Sequence, residues 1–161
     1  MTRQIWFLSI AWIVIALDQF VKNILTATLQ PGTPISFIGD IVRLTLVFND
    51  SAAFSIGFGA TWIFTIISSL AALTLLWFSF KIETLSWSVM AGVLLGGICG
   101  NLIDRLTRAP GFGVGHVVDY IQVPFNFPIF NLADISIFII CTLSVIRIMR
   151  GEKIGRKTVT E

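Results

Sequence analysis

Four stretches of this chain stay apolar long enough to cross a bilayer, and the polar residues gather between them. Spanning about 30 Å of hydrocarbon takes about 20 helical residues, which predicts helices over about 5–25, 61–80, 84–105 and 132–149. The second lies in the charge-free run Ser51 to Phe80, and only Lys81–Glu83 separates it from the third, so these two form a tight antiparallel hairpin. Arg3 before an apolar run also fits the start of a cleaved signal peptide. That run continues past Asp18 and Lys22 and three more spans follow, so the first span is expected to be retained.

Two segments lie outside the spans. Residues 30–58 open with Pro31, Gly32 and Pro34, which stop helix one, and continue as two β-type runs around Gly39–Asp40. That pattern predicts a hairpin with a two-residue turn, part of a small sheet on the outer membrane surface. Residues 107–130 hold three Pro and three Gly and read as a loop. Its aromatics Phe112, Tyr120, Phe125, Phe127 and Phe130 are expected at the membrane interface. The polar tail, 150–161, is expected to be frayed and drawn to anionic lipid. Residues 1–161 are therefore expected to form a single integral-membrane domain of the all-α membrane class, with four transmembrane helices and a small extracytoplasmic β-sheet between helices 1 and 2.

Composition agrees. Hydrophobic residues make up 55% of the 161 and charged residues 12%, against about 25% charged in soluble domains. Mean hydropathy is +0.89. Disordered chains are rich in charge and poor in aromatics, so disorder is excluded. A net charge of +2 with no basic face argues against nucleic acid as a partner. Arg3, Lys81, Arg147, Arg150, Lys153, Arg156 and Lys157 fall at one end of the predicted bundle, and Lys22, Arg43, Arg105 and Arg108 at the other. The positive-inside rule then puts both termini in the cytoplasm. Cys99 and Cys141 sit in apolar runs and there is one His, so no Cys/His zinc site can be assembled. Both thiols are expected to be buried as small apolar groups.

Ionisable groups at membrane depth are functional or paired. Asp18 and Lys22, four apart, share a helix face as an ion pair or as part of a site. Asn49 reads as a turn or cap residue, or as a donor to an extended peptide. Gly96 and Gly100 form a small-residue packing face, after which Asn101, Asp104 and Arg105 arrive together, with Arg108 in pairing distance of Asp104. Asn131 could cap helix four with Asp134 in a near capping-box position, which leaves Asp119 unexplained. Both aspartates are predicted at one boundary, and the Pro-bounded loop between them could fold back. Two adjacent carboxylates do not both ionise easily, so one keeps a proton while the other activates water.

These blocks, read in order, resemble the bacterial lipoprotein signal peptidases (signal peptidase II), aspartyl proteases of the membrane. They are Asp18-Gln-Phe-Val-Lys22, Asn49-Asp-Ser-Ala-Ala-Phe54, Gly96-Gly-Ile-Cys-Gly-Asn-Leu-Ile-Asp-Arg105, Val118-Asp119-Tyr120 and Phe130-Asn-Leu-Ala-Asp134. The resemblance implies that Asp119 and Asp134 are the catalytic dyad. It implies that Asp18, Lys22, Asn49, Asn101, Asp104, Arg105 and Asn131 orient the dyad, bind the peptide backbone or hold the helices. It further implies no cofactor or metal, and prolipoproteins with a diacylglyceryl-Cys as substrates, cut just before that Cys. The enzyme is expected to act as a monomer in the bacterial cytoplasmic membrane, with its site at the outer face. The family usually has Gly where Ser51 stands, and commonly Phe at Tyr120.

Other classes fit less well. A transporter or channel spreads polar groups through the bilayer depth, whereas here they collect at one boundary. A purely structural subunit would tolerate loss of both aspartates. A serine protease needs a Ser–His pair, and His116, the only His, is expected in an interfacial loop. A zinc protease lacks its His-Glu-x-x-His helix.

Overall fold

In the computed structural model, which describes residues 2–50 and 61–155, four helices and a three-stranded sheet follow one another. They are α1 (Thr2–Thr28), β1 (Ile35–Ile38), β2 (Val42–Asn49), α2 (Thr61–Ser79), α3 (Leu85–Thr107), β3 (Val117–Gln122) and α4 (Leu132–Met149). All four helices are long and apolar enough to cross a membrane. At 1.5 Å per residue, α1 measures about 40 Å and α4 about 27 Å. Ser51, the rest of 51–60, and Arg156 and Lys157 in the tail lie outside the described residues.

The helices are apolar outside and polar within at one end. Trp12, Phe20, Leu73 and Phe138 face outward, as lipid-facing residues do, while Asp18, Lys22 and Asp104 are fully buried. α3 is the central helix, packed against α1, α2 and α4. The small-residue face expected at Gly96 and Gly100 lies against α1, and Gly92 extends it. A Cβ on Gly96 would stand 2.5 Å from the Val14 Cβ, and one on Gly92 would stand 2.6 Å from the Phe7 carbonyl oxygen. No side chain fits there, so glycine sets the α1–α3 distance. Phe7, Ala11, Ala72 and Leu95 form the apolar core beside this contact.

The sheet runs β1–β2–β3, antiparallel throughout. It packs on the end of α1 through Leu46, Val118 and Tyr120, against Val21 and Leu25. Three expectations are corrected here. The segment 107–130 is not all loop, because the breaker-free window between Gly115 and Pro124 forms β3. The hairpin turn has three residues, Gly39 to Ile41, between the paired Ile38 and Val42; Gly39 takes φ 53°, where lacking a Cβ removes the steric cost. Tyr120 is buried in the sheet core, whereas Phe112, Phe125 and Phe127 are exposed.

The thiols also depart from expectation. Cys99 is half-buried and Cys141 is exposed, because an apolar position on a membrane helix can face lipid as well as the core.

Candidate active site

The site is built where β2, β3 and the ends of α1, α3 and α4 meet. After β3 the chain doubles back. Phe130 N–H donates to the Ile121 oxygen (3.1 Å), and its own carbonyl accepts from Ile121 N–H (2.7 Å). This return sets the first turn of α4 beside β3. Asn131 caps α4, its side chain accepting from Asp134 N–H (2.9 Å) while Asp134 Oδ2 accepts from Asn131 N–H (3.1 Å). The capping box expected from sequence is therefore present, and it fixes the rotamer of Asp134.

Asn131 joins the two aspartates. Its Nδ2 donates to Asp119 Oδ1 (2.6 Å) and to Asn101 Oδ1 (3.1 Å), and Asn101 Nδ2 donates to Asp134 Oδ1 (2.8 Å). Asn49 lies in a strand. It ends β2 opposite Val117, diagonal to Asp119 on the same sheet face, and its Nδ2 donates to Asp119 Oδ2 (2.8 Å). Both carboxylates, with Asn49, Asp50, Asn101 and Arg105, line one cavity of about 960 Å³. Its other walls are apolar, among them Phe48, Phe127, Ile135, Phe138 and Cys141. Burial, and then the neighbouring Asp134 carboxylate, push the Asp119 pKa up to about 7, against the opposing hydrogen bonds from Asn49 and Asn131.

Behind this wall lies a buried ionic cluster. Lys22 Nζ is 2.8 Å from Asp18 Oδ2 and 2.7 Å from Asp104 Oδ2, and donates to Asn101 Oδ1 (2.9 Å). Asp104 also pairs with Arg108 (2.6 Å) and accepts from Val118 N–H (3.2 Å). Asp18 Oδ1 accepts from Ala133 N–H (3.1 Å). The cluster thus ties α1 and α3 to β3 and to the start of α4, and holds the Asn101 amide on Asp134. Asp18, Lys22 and Asp104 do not line the cavity; they act through Asn101 and the backbone. Arg105 does line it, with its guanidinium 5.3 Å from the Phe64 ring.

Two contributors escaped sequence reasoning. Gln19 Nε2 donates to the Gly100 oxygen (3.0 Å) and Asp104 Oδ1 (3.1 Å); an uncharged amide at membrane depth was its only signal. The Tyr120 hydroxyl accepts from Leu132 N–H (3.2 Å), an otherwise orphaned donor at the start of α4. Tyr120→Phe is expected to cost about 1 kcal/mol of stability while leaving the Asn131 bridge to Asp119 in place. The denaturant midpoint of the purified variant checks this.

Comparisons with known proteins agree with this architecture. A family model described as signal peptidase (SPase) II matches residues 10–150. A lipoprotein signal peptidase of Leifsonia xyli subsp. xyli is 41% identical over 142 residues, covering 88% of this chain and 66% of that protein. One from Mycobacterium tuberculosis (strain ATCC 25618 / H37Rv) is 43% identical over 130 residues, covering 81% of this chain and 64% of that protein. The chain thus matches a little less than two thirds of these relatives' own lengths. A solved structure described as a bacterial membrane enzyme superposes with a TM-score of 0.81 at 29% identity, covering 96% of this chain and 94% of its own. With the fold, the matched segment and the relatives in agreement, the chain belongs to the signal peptidase II family.

Proposed function

We propose that this chain is a membrane aspartic endopeptidase that removes the signal peptide from diacylglyceryl-modified prolipoproteins, cutting just before the lipidated Cys. The observation that carries this reading is the pair Asp119 and Asp134 on the wall of one largely apolar cavity, joined through Asn131. The relatives' name, lipoprotein signal peptidase, supplies the substrate class. The apolar walls suit a lipid-bearing residue, and Asn49, Asn101 and Arg105 offer polar groups for the peptide. The excess of Lys and Arg at the opposite end supports cytoplasmic termini and a site at the outer face.

The dyad shares one proton, held at rest by Asp119. Asp134 takes a proton from water, and the water oxygen attacks the scissile carbonyl carbon. Asp119 hydrogen-bonds the carbonyl oxygen and then passes its proton to the leaving nitrogen as the C–N bond breaks. The proton left on Asp134 returns to Asp119 and resets the pair.

Purified protein, with chelator present, is expected to cut a diacylglyceryl-modified prolipoprotein before the lipidated Cys, read by mass spectrometry. An inert protein, or a cut elsewhere, would overturn the assignment. The Asp119 pKa also sets a pH dependence. Because it is raised, the required proton is present below about 7 and lost above it. The kcat/KM is therefore expected to fall on the alkaline side with an apparent pKa near 7, approaching about tenfold per pH unit. A profile flat to about pH 9 would contradict a proton-sharing dyad.

A further inference from the structure

A second cavity, of about 400 Å³, opens at the end of the bundle opposite the aspartates. It is lined by Arg3, Phe78, Phe80, Lys81, Ile82, Glu83 and Ile154, and none of these takes part in the proposed reaction. Its cations are positioned. The Arg3 guanidinium donates to the Glu83 carbonyl oxygen, and the Lys81 ammonium lies 3.6 Å from the centre of the Trp77 ring. Glu83 N–H donates to the Gly155 oxygen (2.5 Å), which holds the stretch after α4 against the α2–α3 turn.

We propose that this cavity binds the headgroup of an anionic phospholipid. Lys81 stands two residues beyond the end of α2, and Arg3 stands at the start of α1, so both cations lie where a bilayer carries its phosphates. Against the one lining carboxylate, Glu83, two cations leave a net charge of +1, which suits a phosphodiester monoanion. The remaining walls are apolar, and Phe80 is exposed outward at the cavity, as the upper acyl region of a lipid requires. The stretch that leads to the lining residue Ile154 carries Arg147, Arg150 and Lys153 against Glu152, so the charge at this end of the chain favours an anion. The volume falls in the range of small-molecule sites, about 300–1,000 Å³.

The test is native mass spectrometry of the full chain in detergent with phosphatidylglycerol, phosphatidylcholine or inorganic phosphate. Phosphatidylglycerol is expected to be retained about tenfold over phosphatidylcholine. Arg3→Gln/Lys81→Gln should abolish the preference, and Arg150→Gln/Lys153→Gln should keep it. If the first variant does not fold, Lys81→Gln alone is read against the same control. Equal retention of the two lipids would overturn the proposal, as would equal loss in both variants, the mark of diffuse charge. Displacement of phosphatidylglycerol by millimolar inorganic phosphate would reassign the cavity as a free-anion site and overturn it as well.

Discussion

Asp119→Asn and Asp134→Asn are each expected to lower turnover of lipidated prolipoprotein by about 10³-fold or more, within the range for loss of a positioned acid or base. An amide at position 119 can still accept from Asn131 through its oxygen while losing the bond from Asn49, and one at position 134 can keep the capping-box bond from Asn131 N–H while losing the one from Asn101. Both proteins should therefore fold, as checked by helical circular dichroism and size exclusion. The two losses should not add, because the residues act as one unit: the double variant is expected to be about as slow as either single one. Folded variants that still cut at near wild-type rate would make both aspartates structural and leave the chemistry to other residues.

Lys22→Met has the second largest expected effect, on stability before activity. Lys22, Asp18 and Asp104 are all fully buried, and the ammonium is the shared partner of both carboxylates. Removing one member of a buried ion pair costs about 3–5 kcal/mol, because the charge left behind has neither water nor a counterion. Asp104 keeps Arg108 as a counterion and Asp18 keeps none among the described residues, so the larger penalty falls on Asp18. Adding Asp18→Asn to Lys22→Met should recover part of the loss. Denaturation midpoints in mixed micelles measure both steps. A loss below about 1 kcal/mol for Lys22→Met would mean that the cluster is hydrated and does not brace Asn101.

The spans were legible because an apolar run of about 20 residues has few other fates. The Asp18–Lys22 pair was legible because four residues make one helical turn. What escaped was what depends on distant partners. Asn49 looked like a turn residue while its strand neighbour was unknown. β3 was masked by the Pro and Gly on either side of it, although Val117–Gln122 contains neither. Cys141 sits in an apolar run whether that run faces lipid or protein. The capping box of Asn131 and Asp134 was visible as spacing, yet nothing in the spacing shows that the same Asn131 amide reaches Asp119.

The sequence by itself determined the membrane class, the four helices, the collection of polar residues at one boundary and the family. These follow from hydropathy, helical repeat and ordered motifs, all properties of neighbours along the chain. Only the tertiary structure decided the site. It draws Lys22 onto Asp104, Asn49 onto Asp119 and Asn101 onto Asp134 across separations that no local pattern encodes. It does so because buried polar groups in an apolar surrounding must find one another.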